Sequence, residues 1–119
     1  MLSIGASWVA AELTGAAVGT VRFGVTVGKR NARRSVDRVL VKRIVREACR
    51  HHAEAFEGCA AQASVRIDIA LRLKSPLVDA QGAPLAMRAW RRQVRADADD
   101  LLQEMLTRMV GRLAASPAN

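Results

Sequence analysis

Long hydrophobic runs are missing from this 119-residue chain, and none approaches the roughly 20 apolar residues that cross a bilayer. The N-terminus shows no charged stretch followed by an apolar core, so no signal peptide is read and the cytosol is the expected compartment. Cysteine is scarce. Cys49 and Cys59 are the only two, and in the cytosol they predict buried free thiols rather than a disulfide. A zinc site would need partners at ligand spacing, and the adjacent His51 and His52 would diverge by about 100° on a helix. Catalytic motifs are absent too: there is no Walker-type phosphate loop, no HExxH and no Gly-x-Ser-x-Gly. Asp97, Asp99 and Asp100 do not share one helix face, so a solvated acidic surface is expected there rather than a Mg²⁺ site. No catalytic residue, metal ligand or protein-bound cofactor is therefore expected. Internal repeats and low-complexity tracts are missing as well.

Acids are the most telling shortage. Against 19 Lys and Arg stand 11 Asp and Glu, for a net charge of +8 and a pI of about 11.2. That balance points to nucleic acid or an anionic membrane surface. Half the residues are hydrophobic, which is too many for a disordered tail. The length allows one modest core, so a single domain over residues 1–113 and a frayed tail over 114–119 are expected.

Along the chain, Ser7 to Leu13 is a plausible strand, and residues 14–19 are a loop punctuated by glycine. From Thr20 to Gly28, Val21, Phe23, Val25 and Val27 alternate with polar or small residues, which predicts a strand with one buried face. The two strands read as a hairpin or meander. Ser35 can cap a helix with Asp37 in its first turn, running to Glu54 or Phe56 and stopping near Gly58. Val65, Ile67, Ile69 and Leu71 alternate in another strand, which Ser75-Pro76 ends. Residues 79–84 form a turn-rich linker. A long helix from Pro84 to Leu113 carries Met87, Trp90, Val94, Leu101, Leu102, Met105, Met109 and Val110 as its apolar stripe. Its first third is basic (Arg88, Arg91, Arg92, Arg95) and its middle acidic. Trp90 is expected to pack in the core rather than stack on a base.

The charge is concentrated from Lys29 to Arg50. Gly28-Lys29-Arg30-Asn31-Ala32-Arg33-Arg34-Ser35 reads as a basic loop. In the helix that follows, with Arg38 at zero, Lys42, Arg46, Arg50 and Arg43 fall at about 40°, 80°, 120° and 140°. Leu40, Val41, Ile44, Val45 and Ala48 occupy the opposite arc. A charged helix is ordinarily balanced by acids at i+4, but between Lys29 and Arg50 only Asp37 and Glu47 are acidic. Unbalanced like charges repel, and the cluster becomes favourable when phosphates bind and release counterions. A membrane partner is disfavoured because the apolar face belongs to the core and carries no aromatic wedge. The segment has neither a helix-turn-helix nor a basic-zipper pattern, so shaped RNA or backbone recognition suits it better than base reading.

Arg22-Phe23-Gly24-Val25-Thr26-Val27-Gly28-Lys29-Arg30-Asn31-Ala32-Arg33-Arg34, followed by Arg38, Lys42-Arg43 and Arg46-Glu47-Ala48, resembles the bacterial ribonuclease P protein subunit. The strand, the Asn-x-Arg-Arg loop and the Lys-Arg-x-x-Arg-Glu helix share the family's order and spacing. The likeness extends more loosely from Gly5 to Arg108. It implies a small two-layer α+β fold with an antiparallel or mixed sheet, the basic helix in a left-handed β-α-β crossover, and a long C-terminal helix. It also implies the partners: the catalytic RNA of ribonuclease P and the 5′ leader of precursor tRNA. The RNA, with Mg²⁺, would do the cleavage. Lys29, Arg30, Arg33, Arg34, Arg38, Lys42, Arg43 and Arg46 would contact the catalytic RNA, and helical phase adds Arg50.

Two departures from the family accompany the likeness. The family signature Arg-Asn-Arg is here Arg38-Val39-Leu40. Val39 falls near 100° on the wheel, inside the cationic face, where it removes an amide that could bond RNA, whereas Leu40 can be absorbed by the core. A paralogous RNA-binding module that no longer supports the ribozyme is therefore the alternative reading. The family also opens with a basic helix bearing aromatics and a further strand, whereas this sequence begins almost at the strand of Trp8. Met1 is then a late start, or part of the leader cleft is gone. The expectation that follows is a sheet of about three strands with a free edge, exposed apolar surface on that sheet, and a homodimer to cover it.

Overall fold

The computed structural model describes residues 4–12, 18–77 and 85–115, with the backbone alone for residues 9–12 and 113–115. Its elements are β1 (Ile4–Glu12), β2 (Val21–Thr26), α1 (Ser35–Ala63), β3 (Val65–Leu73) and α2 (Met87–Ala115). The fold is α+β, with two long helices and a three-stranded mixed sheet. The expected linker over residues 79–84 and most of the loop over 14–19 lie outside the described residues, as do residues 116–119. The backbone of residues 114 and 115 continues α2.

The strand order is β1-β3-β2, so the expected β1–β2 hairpin does not form. β1 runs antiparallel to β3, with Trp8 opposite Ile69, and β2 runs parallel to β3, with Val25 opposite Leu71. A parallel pair needs a long crossover, and α1 supplies it. The physical reason for the order lies in β3. Val65, Ile67, Ile69, Leu71 and Leu73 are all buried. This unbroken apolar set does most for the core at the middle of the sheet, with both backbone edges paired. β1 contributes the small Gly5, Ala6 and Ser7, and β2 has Gly24.

α1 is longer than its glycine suggests. It passes through Gly58 and ends at Ser64, which takes the left-handed conformation at φ 56° and donates its N–H to the carbonyls of Ala60 and Ala61. A glycine inside a helix costs about 1 kcal/mol. Beyond Gly58 the fully buried Ala60 and the partly buried Cys59 and Ala63 pack the extra turns against the core. Phe56 meets Phe23 of β2 edge to face, with ring centroids 5.9 Å apart. At the other end Arg34, not Ser35, is the N-cap, and it makes no side-chain cap bond. Its guanidinium instead takes both carboxylate oxygens of Asp37 at 3.0 Å, tying off the first turn by charge.

α2 packs along α1 and against β1. Trp90, Val94, Ala98, Leu102, Met105 and Met109 are buried at spacings of three and four, so Trp90 is a core residue. Met87 and Val110, expected in the stripe, are exposed. Val110 falls out of phase with the buried arc, and Met87 stands at the helix start, where α1 leaves it open.

Candidate nucleic-acid interface

The basic loop is held in a defined shape by its uncharged residues. Asn31 and Ala32 both donate their N–H groups to the Gly28 carbonyl, at 3.2 Å, closing a tight turn. Ala32 is buried and acts as a plug. The Asn31 side-chain amide donates to the carbonyl of Leu73 at the end of β3, at 2.8 Å, and the Asn31 carbonyl accepts from Leu77 N–H at 3.2 Å. Around this anchor Lys29, Arg30, Arg33 and Arg34 stand exposed. Neither Asn31 nor Ala32 was singled out from the sequence, although both lie inside the Asn-x-Arg-Arg motif that carried the resemblance.

Along α1 the cations grade from packed to free. Arg38 and Lys42 are half-buried, while Arg43, Arg46 and Arg50 are exposed. The reason is that the buried arc is wider than the apolar residues alone indicate. Cys49 and Phe56, which fall near the phase of Arg38, are both buried. Arg38 also has work within the fold: one of its terminal nitrogens donates to the carbonyls of Ala32 and Arg33, at 3.0 and 2.8 Å, and so locks the loop to the helix. Arg34 is partly neutralised by Asp37. Lys29, Arg30, Arg33, Lys42, Arg43, Arg46 and Arg50 form no ion pair among the described residues. From Arg38 to Arg50 the strip spans about 18 Å at 1.5 Å per residue. Val39, next to Arg38 at the start of the strip, is 56% exposed and lies within the cationic face, where helical phase put it. Leu40 packs partly into the core.

A second cationic surface was not among the expected site residues. α1 and α2 flank an open groove of about 830 Å³ lined by Arg43 and by Arg88, Arg91, Arg92 and Arg95. The signal was present in the basic first third of α2, but the acids of its middle offset most of the charge in a whole-helix sum. The packing of α2 along α1 is what gathers those arginines with Arg43 around one groove.

Among the described side chains, the open face of the sheet is polar or small rather than apolar. Arg22 and Arg66 both bond the Asp68 carboxylate, with Arg22 Nε at 3.0 Å, and these two guanidiniums hold Asp68 below the usual carboxylate range. Ser7, Gly24 and Ala70 lie beside them. The exposed large hydrophobics among the described residues are on the helices: Val36, Val39, Met87 and Val110. Among the described side chains the expected apolar surface is not found on that face.

Among the described residues no group of three or more His, Cys, Asp and Glu could hold a metal ion. His52 instead bonds Asp99 across the helix pair at 3.2 Å. Cys49 and Cys59 are free, and burial pushes the Cys49 thiol up to about 11. No helix among the described residues is long and apolar enough to cross a membrane.

A βαβ crossover whose helix shows unneutralised guanidiniums outward, behind a loop braced to the central strand, defines a small α+β protein with a surface suited to a polyanion. The family model described as Ribonuclease P matches residues 6–88, from β1 through the basic loop, α1 and β3 to the first turn of α2. The chain belongs to the family of bacterial ribonuclease P protein subunits. No curated protein and no solved structure gives a significant match.

Proposed function

We propose that this protein is the RNA-binding, non-catalytic subunit of ribonuclease P in the cytoplasm, binding the catalytic RNA and assisting removal of the 5′ leader from precursor tRNA. The observation that carries the reading is the braced cationic loop and its continuation along α1. Seven Lys and Arg without ion-pair partners among the described residues are presented by a scaffold that Asn31, Ala32 and Arg38 keep in one shape. Phosphates replace the counterions of such a surface, and preorganisation lowers the ordering cost of binding. In this reading Lys29, Arg30, Arg33, Arg34, Lys42, Arg43, Arg46 and Arg50 contact the RNA. Arg38 contributes charge while positioning the loop, and residues 1–113 act as one RNA-binding unit. In this reading the Mg²⁺ of the reaction belongs to the RNA partner.

The experiment adds the purified protein to its cognate catalytic RNA at low Mg²⁺ and measures precursor-tRNA cleavage. Stimulation that is lost on triple substitution of Lys29, Arg30 and Arg33 by glutamine supports the reading. RNA binding without stimulation supports the alternative, a paralogous binding module, which the exposure of Val39 among the arginines favours. Val39→Asn then tests whether that one missing amide is the cause.

A further inference from the structure

We propose that the groove between α1 and residues 87–99 of α2 is a binding site for unpaired RNA, with bases laid on its apolar floor and phosphates held by its arginine rim. The inference takes its ligand class from the RNA-binding reading above but does not depend on the ribozyme.

The floor is made by Leu40 and Ile44 of α1 and by Met87 and Ala96 of α2. Met87 is 38% exposed, a large apolar side chain left open to water inside a concave surface. Arg43, Arg88, Arg91 and Arg92 form no ion pair among the described residues. Two carboxylates also line the groove, Glu47 and Asp99, and Asp99 is already engaged by Arg95 at 3.0 Å and His52 at 3.2 Å. The cations are moreover placed against their own helix. The first turn of α2 contains no acid, and its N-terminal end carries the positive end of the helix dipole. Arginines gathered there repel one another and the dipole, and a bound anion relieves both.

Single-stranded RNA fits this combination better than a duplex. A duplex shows phosphates outward and keeps its bases stacked, so it could touch the rim but not the floor. An unpaired strand can turn a base onto an apolar surface and stack it against planar guanidinium groups. An acidic peptide would meet the same charge. What favours RNA is continuity, because Arg43 belongs both to the outward strip of α1 and to the groove, so one strand can pass between the two without leaving cationic surface. Arg91, Arg92 and Arg95 lie beyond the segment the family model matches.

The test measures binding of a labelled, unstructured oligouridylate and of an RNA hairpin duplex to the full chain by fluorescence anisotropy across a salt series. The triple variant R88Q/R91Q/R92Q should weaken the oligouridylate on the order of tenfold and flatten its salt dependence by about 0.7 per lost phosphate contact, with hairpin affinity kept. Met87→Ala, which removes no charge, should weaken the oligouridylate and leave both the hairpin and the thermal midpoint unchanged. Equal losses for single strand and duplex would overturn the proposal. So would displacement of the oligouridylate by polyglutamate of matched charge, or photo-crosslinks that map to the sheet face at Arg22 and Arg72 and not to residues 87–95. Groove-dependent oligouridylate binding without stimulation of the catalytic RNA overturns the ribozyme reading and leaves the groove standing. Stimulation alongside oligouridylate binding that the triple variant does not change does the reverse.

Discussion

In α1 the exposed cations follow a loop tied down at Leu73 by Asn31 and at its own carbonyls by Arg38, and Arg34 is matched to Asp37 in the first turn. In α2 the arginines crowd the beginning of a helix whose first turn has no acid, and they stand above an apolar floor. One surface is convex, braced and charged along its length, with Val39 as its gap. The other is concave, with its charge at the rim. The difference teaches that cations on helices serve different ligand shapes according to what lies between them. Exposed cations on a convex face meet a backbone of any strandedness, whereas cations around an apolar trough select a strand whose bases are free.

The largest expected effect breaks the scaffold that both surfaces share. Phe56→Ala should destabilise the protein by about 3–5 kcal/mol, because the ring is fully buried between α1 and β2 and leaves a cavity. Chemical denaturation read by circular dichroism measures this, and loss of both RNA activities together would show that neither surface stands alone. The next sharpens the contrast itself. Neutralising Lys29, Arg30 and Arg33 should lower the salt slope for structured RNA by roughly 2–3 units, at about 0.9 per phosphate contact, with the oligouridylate slope less affected.

Asn31→Ala follows. It should cost about 1–2 kcal/mol by removing the bond to the Leu73 carbonyl and should weaken structured RNA without changing the salt slope, since no cation is lost. A changed slope would mean that the loop amide meets RNA directly instead of bracing the cations. Smaller, and opposite in sign, is Arg88→Glu. It should raise thermal stability by about 0.3–1 kcal/mol by matching the α2 dipole while weakening oligouridylate binding. The last effect concerns the buried face of α1. The Cys49 thiol is raised from 9.0 to about 11, so the unfolded chain ionises it first, and the stability it supports is lost as pH rises from 9.0 through about 11. Comparing Cys49→Ala with the parent chain in alkaline denaturation isolates that contribution.

The individual strands were readable because a half-buried strand writes its burial into alternate residues, as Val21, Phe23 and Val25 do in β2 and Ile67, Ile69 and Leu71 in β3. Their order was not. Which edge of β3 meets β1 or β2 depends on residues far apart in the chain, as Trp8 and Ile69 are, and alternation within one strand carries no record of its neighbour. α1 runs past Gly58, where local propensity stops a helix, because burial of Ala60 carries it on to Ser64. The α1 strip was visible because its charge is unbalanced locally. The α2 arginines were visible as a basic third but not as part of a site, because their partner wall belongs to another helix.

The sequence by itself determined the chemistry of this protein: a surplus of guanidinium and ammonium groups, phased on one helix behind a basic loop, with no catalytic motif. These are properties of residue type and of spacing within a single element, and both are local. The tertiary structure alone decided that β3 lies at the centre, that Asn31 and Arg38 turn the loop into a fixed platform, and that Arg43 faces the arginines of α2 across a trough. Each of those is a contact between elements distant in the chain, chosen by which apolar faces could be buried together.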